Sequence, residues 1–281
     1  MSLRINTNVE AFNAHRNLAM TNDALAKSME KLSSGFRINR AGDDAAGLGI
    51  SERMRGQISG TAQAVRNTQD GISLVQTAEG SLTEFHSILH RIRDLAVQYN
   101  NGVYSTSDKA AITAEVAQLS AEIDRMLGSA TFNGIPLLSG VAGSVMTTLQ
   151  IGANSGSSEQ LAITAIAVPS LLTSAAVNGA LNSFATNNGS TTVVIASFDA
   201  MIDAISSARS TLGSIQNRLE HTINFLSNYQ ENMMSAESRV RDVDMASEMT
   251  NFTRLQILQQ SGTAMLSQAN QAPQSLLSLL R

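Results

Sequence analysis

Three side chains have a spacing that could hold a metal ion. His86, His90 and Asp94 follow one another at i, i+4 and i+8, which on a helix places them along one face. Zinc requires three or four converging ligands, and two adjacent histidines on an exposed face commonly stand without metal. The stripe is therefore read as a polar face, with no metal expected. Asp43 and Asp44 form a second candidate, since paired carboxylates can do acid/base work. They sit among glycines with no cluster of His, Tyr or Lys beside them, which points to capping or to a joint between helices. The chain contains neither an HExxH motif nor a phosphate-binding glycine loop. With no cysteine, structural disulfides and thiolate metal sites are excluded. No catalytic residue and no cofactor is expected, so the chain does not read as an enzyme.

Bulk composition agrees. A net charge of -4 and a pI near 5.6 give no electrostatic footprint for nucleic acid. The absence of Trp, 4% aromatics and only three prolines favour helix over a β-sandwich. The start, MSLRINTNVEAF, has no apolar core of a secretory signal. The neutral tail from Leu255 to Arg281 is long enough to cross a bilayer, but its evenly spread glutamines exclude membrane insertion.

The elements that must carry these residues are written in heptads. Leu255, Leu258, Gly262, Met265, Ala269, Ala272, Leu276 and Leu279 step 3-4-3-4-3-4-3. Pro273 within that stripe predicts a kink or local break near 269–273. Phe198, Met201, Ile205, Ala208, Leu212, Ile215, Leu219, Thr222, Leu226, Tyr229 and Met233 keep the same rhythm and continue to Val243. A helix over 198–243 would run about 68 Å at about 1.5 Å per residue. In the first half Leu18, Leu25 and Leu32 step by seven. Ile58, Ala62, Val65, Gln69 and Ile72 predict a buried line, continued by Val75, Leu82, Phe85, Leu89, Ile92 and Ala96. After a stop at Asn101-Gly102 comes Ile112, Val116, Leu119, Ile123 and Met126, with Ser107 as the expected cap and Asp108 in the first turn.

Helical periodicity fails over 129–192. Asn133-Gly134 and Pro136 punctuate it. The alternation around Leu149/Ile151 and Leu161/Ile163 predicts a β-hairpin over 146–166. Residues 170–192 read as a short exposed loop. Glycines at 42, 47, 49, 56 and 60 predict a flexible joint, in which Gly42, Asp43, Asp44 and Gly47 are the named residues. Gly71 and Gly80, each costing about 1 kcal/mol inside a helix, call for close packing against a neighbour.

The expected fold is mainly α: long antiparallel N- and C-terminal helices forming coiled-coil-like rods, plus a small β-hairpin region. Leu82, Phe85, Leu89, Ile92, Leu212, Leu219 and Leu226 are its packing residues. A two-helix end with alanine and glycine at half its seam cannot offset the roughly 1–2 kcal/mol per residue of backbone ordering. Its neutral Gln/Ser/Asn faces suit an assembly in which other copies supply the missing walls.

LSSGFRINRAGDDAAGLGISERMRGQI (32–58), with INTNV near the start, resembles the N-terminal signature of bacterial flagellins. LQILQQSGTAMLSQANQAPQSLLSLLR resembles their C-terminal signature, and HRIRDLAVQ and AEIDRMLGSATFNGIPLL resemble segments between. The likeness covers about 1–165 and 193–281, and the middle departs from it, because larger members insert variable outer domains there. The resemblance implies an extracellular, self-assembling filament subunit for motility, a homo-oligomer of many copies, exported unfolded through a type III conduit. It implies a terminal-helix inner-tube domain (1–42 and 243–281), an outer-tube domain (43–169 and 193–242) and a loop at 170–192 in place of the variable domains.

Its implied partners are an export chaperone on the C-terminal helices, hook-junction and cap proteins, and a Toll-like innate receptor. Arg91, Leu95 and Glu115 match the receptor-recognised pattern, with Asp94 where a glutamate is common. Arg91 and Leu95 share a helical face, and Glu115 would sit on the next helix. The inner-tube seam is Leu18, Leu25 and Leu32 with the C-terminal stripe from Leu255 to Leu279. Methionines on or beside the seams (Met29, Met126, Met201, Met233, Met265) would give adaptable packing to a filament that switches helical shape. The 170–192 loop would accept O-glycans. Alternatives are a hook–filament junction protein and a secreted monomeric receptor ligand.

Overall fold

The structure, a computed structural model, describes residues 8–138, 145–164 and 191–279. The 170–192 loop falls almost entirely outside the described residues, as do INTNV up to Thr7 and the side chains of Ala272, Leu276 and Leu279. Helices dominate: α1 (Val9–Ser34), α2 (Ala45–Tyr99), α3 (Thr106–Ser129), α4 (Thr191–Arg241) and α5 (Met245–Leu279). Between α3 and α4 lie four short strands, β1 (Thr131–Phe132), β2 (Ile135–Pro136), β3 (Val145–Gln150) and β4 (Gln160–Thr164). Contacts divide the chain into one unit of Met1–Gly56 with Asn232–Arg281 and another of Gln57–Glu231.

The second unit holds the core. Ion pairs Arg93–Asp199 and Arg209–Glu79 descend α2 as they ascend α4, so the two helices run antiparallel. On α4 the buried line is the expected one, from Phe198 through Leu212 and Leu219 to Leu226. Beyond it Tyr229 emerges, stacked on the exposed Phe225. On α2 the upper half also agrees, with Leu82, Phe85, Leu89 and Ile92 fully buried.

The lower half of α2 is a correction. Its buried line is Thr61, Ala64, Thr68 and Gly71, continuing through Val75 and Ala78 in unbroken 3-4 steps. Gln69 is exposed, and Ile58, Ala62, Val65 and Ile72 are half-buried. Two facts make the small polar residues suitable for the inside. The Thr61 and Thr68 hydroxyls donate to the carbonyls of Gln57 (2.8 Å) and Ala64 (2.7 Å), so neither is left unpaired. Small side chains also let the β3–β4 hairpin approach: a Cβ on Gly71 would run into Leu149 Cδ1, and one on Gly60 would lie 2.9 Å from Ala153 Cβ. Gly71 thus has the close neighbour its cost demanded. Gly80 does not, since a Cβ there meets nothing.

The β3–β4 hairpin pairs Leu149 with Leu161 and Thr147 with Ile163, with a bulge between Val145 and Thr147. Leu161 and Ile163 point inward, as alternation requires. A second hairpin, β1–β2, was not foreseen although its signal was present. Asn133 (φ 49°) and Gly134 (φ 79°) form a two-residue turn with both central residues at positive φ, the geometry Asn-Gly favours. The following Leu137 and Leu138 are fully buried.

Three further expectations change. α3 is capped by Ser105, not Ser107: Ser105 Oγ accepts from Asp108 N–H while Asp108 Oδ2 accepts from Ser105 N–H at 3.0 Å. This reciprocal box fixes the entry of the chain and satisfies two donors at once. The glycine-rich joint is also shorter than expected, because Gly47, Gly49, Gly56 and Gly60 all lie inside α2. Only residues 35–44 connect α1 to α2. α5 is helical without interruption past Pro273, so no local break separates its two halves.

Candidate functional site: the outer face of the terminal helix pair

α1 and α5 run antiparallel, and polar groups set their rotation. Asn8 Nδ2 donates to the Ala269 carbonyl (2.8 Å), Gln259 Nε2 to Asn22 Oδ1 (2.9 Å) and Ser28 Oγ to Glu248. Asn8 also caps α1, accepting from Ala11 N–H at 3.0 Å. Gly262 lies under Leu18, whose Cδ1 would be 3.2 Å from an added Cβ. Leu18, Leu25, Leu32, Leu255 and Ala269 are half-buried on this contact line.

Leu258 and Met265 are not on it. They are 50% and 65% exposed at the open rim beside α1, while Gln259 and Leu266 are half-buried. The described seam therefore keeps Leu255, Gly262 and Ala269 of the expected stripe and leaves two of its largest apolar members outside. Phe12, Met20 and Ile257 are exposed as well, a surface that reasoning from the seam alone had missed. Among the described residues of α1 and α5 the only fully buried one is a serine, Ser28. An open cleft of about 740 Å³ between the helices is lined by Ala14, Leu18 and Thr21 on one side and Leu258, Gly262 and Met265 on the other. The pair thus leaves several of its large apolar side chains exposed, the mark of an interaction surface.

The connections at the base of this pair are held to each other. Phe36 and Asp242 form an isolated bridge, with Arg37 N–H donating to Arg241 C=O (2.7 Å) and Val243 N–H to Gly35 C=O (3.0 Å). Gly35 (φ 75°) ends α1 in the left-handed conformation that glycine adopts without penalty. Arg241 lies 4.7 Å over the Phe36 ring and pairs with Glu52 at 3.0 Å. Asp43 accepts from the N–H groups of Arg40 and Asn39, which hold its carboxyl below the usual carboxylate range. Asp44 Oδ1 accepts from Gly47 N–H at 2.8 Å, and Gly47 has no room for a Cβ against Asp44 and Ile38. Gly42 lies in the connection with open space around it.

Of the receptor-pattern residues, Arg91 and Glu115 meet in a salt bridge of 2.7 Å between α2 and α3, both partly exposed. Leu95 does not join them on the surface: it is 2% exposed and packed in the core. His86 and His90 face each other with Nε2 atoms 2.9 Å apart, one donating to the other. Burial, then the neighbouring His90 and Arg209, keep His86 below the usual histidine range. Asp94 is exposed one further turn away, and no group of three or more ligating side chains occurs among the described residues.

Comparisons with known proteins bear on the same regions. The family model for the bacterial flagellin N-terminal helical region matches residues 5–143, and the model for the flagellin C-terminal helical region matches 195–280. A flagellin of Halalkalibacterium halodurans is 51% identical over 99% of both chains. A flagellar filament 33 kDa core protein of Treponema phagedenis is 46% identical, again over 99% of both. A flagellar hook-associated protein of Vibrio parahaemolyticus is 13% identical with a TM-score of 0.60, covering 71% of this chain and all of that one, a likeness of fold alone.

Proposed function

The chain belongs to the bacterial flagellin family and is a structural subunit of the extracellular flagellar filament, present there in many copies; from this premise we propose that the outer face of α1 and α5 is the surface through which copies lock together. One observation carries the reading. A helix pair whose only fully buried described residue is a serine, and which exposes Phe12, Ile257, Leu258 and Met265, has its apolar partners outside itself. Burying such side chains is worth roughly 1.5–3 kcal/mol each, which neighbouring copies would supply. The inner-tube domain is assigned to 1–42 and 243–281, the outer-tube domain to 43–169 and 193–242, with 170–192 as the outward loop. The work is mechanical and no catalytic step is assigned. The family resemblance implies export in an unfolded state by a type III system, and the exposed apolar residues of α5 are what an export chaperone would cover until release. Hook-junction and cap proteins would meet it at the filament ends.

The test is filament regrowth from heat-depolymerised monomer, followed by negative-stain electron microscopy. Leu258→Glu with Met265→Glu should leave the helical signal of the monomer intact, because both side chains are exposed, and should abolish filaments. A chain lacking 255–281 should also fail to polymerise. Normal filaments from the double variant would remove this face from the interface, whereas no filaments from the unaltered chain, with ends that resist trypsin, would favour the secreted monomeric ligand.

A second reading, recognition by a Toll-like innate receptor, is favoured by the exposed Arg91–Glu115 pair bridging α2 and α3. Leu95 would act beneath it as support for α2 rather than as a contact. Arg91→Ala should then lower receptor-reporter signal with little change in melting temperature.

A further inference from the structure

Nine of the twelve methionines fall in Met1–Gly56 and Asn232–Arg281. Six of them, Met20, Met29, Met234, Met245, Met249 and Met265, are between 48% and 65% exposed. In the other unit Met201 is buried, and Met126 and Met146 are half-buried against the core. Leucine could fill the same interface volume at similar helix propensity. What a thioether adds is flexibility and a sulfur lone pair open to two-electron oxidants. With no cysteine in the chain, no thiol competes for the oxidant.

We propose that these six methionines are an oxidative modification site that gates subunit addition. A peroxide attacks them in the free subunit, and the resulting sulfoxide subunit is rejected by the growing polymer. The sulfur lone pair takes the distal oxygen of hydrogen peroxide: the S–O bond forms as the O–O bond breaks. The proton on the transferred oxygen passes to the departing hydroxide. One thioether and one peroxide give one sulfoxide and one water, the sulfur losing the two electrons that the peroxide gains. The product carries a strong hydrogen-bond acceptor on a side chain that must enter an apolar contact, where an unpaired polar group is costly. Subunits already in the filament are protected because neighbours cover the same sulfurs. The inference rests on the assignment of the α1/α5 face as the interface.

The experiment exposes monomer and intact filament to hydrogen peroxide, maps sulfoxides by peptide mass spectrometry, and follows seeded regrowth of the treated monomer. The six sites should oxidise about tenfold faster than Met201 in the monomer and about tenfold slower in the filament than in the monomer. Regrowth of treated monomer should slow by about tenfold and recover after methionine sulfoxide reductases act on both epimers. The regrowth rate of a chain with all six methionines changed to leucine, measured against that same chain untreated, should be indifferent to peroxide. Should that chain fail to fold, M245L/M249L/M265L read with the reductase rescue makes the same comparison, with sensitivity expected to fall in proportion. Native-rate regrowth of monomer mapped as sulfoxide at the six sites overturns the gate while filament protection leaves the interface intact. Equal oxidation in filament and monomer overturns both.

Discussion

At the scale of single residues, His86 makes a pH-dependent contribution. Its protonated form is disfavoured in the folded chain, first by burial and then by His90 and by Arg209, which itself pairs with Glu79. The folded state therefore binds fewer protons than the unfolded one below the ordinary histidine value of 6.5. Stability is unaffected above that value and declines as pH falls through it toward the lowered folded value. Thermal melts followed by circular dichroism at stepped pH should show this decline between about pH 7 and 5, and His86→Gln should flatten it. Two glycines on the same helix make a paired test by urea denaturation. Gly71→Ala drives a methyl into Leu149 and should destabilise by about 1–3 kcal/mol. Gly80→Ala meets open space and should stabilise by up to about 1 kcal/mol through helix propensity alone.

At the scale of elements, the short α3 depends on its ends more than the long helices do. Ser105→Ala removes a side-chain acceptor and leaves Asp108 without its reciprocal partner, so a loss of about 0.5–2 kcal/mol is expected in chemical denaturation. Ser107→Ala, inside the first turn, should change stability by less than about 0.5 kcal/mol. α2 and α4 illustrate what a heptad does and does not say. On α4 the inward positions are large and apolar, so their 3-4 rhythm names the buried face directly. On the lower part of α2 the inward positions are Thr61, Ala64, Thr68 and Gly71, whose side chains carry almost no hydrophobic signal, while Ile58 and Val65 lie on the flank. What selects the face there is the hairpin, because only small side chains let Leu149 and Ala153 come so close.

At the scale of the whole molecule, the two contact units differ in how much they bury. The Gln57–Glu231 unit has one continuous cluster from Leu74 to Leu219, drawing on α2, α3, β4 and α4. Among the described residues of the terminal helices burial is partial everywhere but at Ser28. Native-state hydrogen exchange of the monomer should therefore show slow amides on α2 around Leu82–Ile92 and on α4 around Ile205–Leu219, with fast exchange along α1 and α5. Limited trypsin digestion should cut first in those terminal helices, at Arg16, Lys27 or Arg254, and polymerisation should protect the same bonds. Equal protection in both units of the monomer would contradict the assembly interface proposed above.

The sequence by itself determined the helices, though neither the start of α2 nor the continuity of α5, together with the β3–β4 hairpin and the family, because these follow from side-chain periodicity, turn chemistry and long signature stretches. It also marked the terminal helices as short of a core, since alanine and glycine at the seam cannot supply one. Rotation and partnership were decided by tertiary structure. That Leu258 and Met265 face outward depends on the polar contacts between Asn22 and Gln259 and between Ser28 and Glu248, which no apolar pattern encodes. That Leu95 is interior while Arg91 reaches Glu115 depends on where α3 lies across α2. Periodicity fixes which residues share a face of one helix. Which face is covered depends on what arrives from far along the chain, and that is a property of packing.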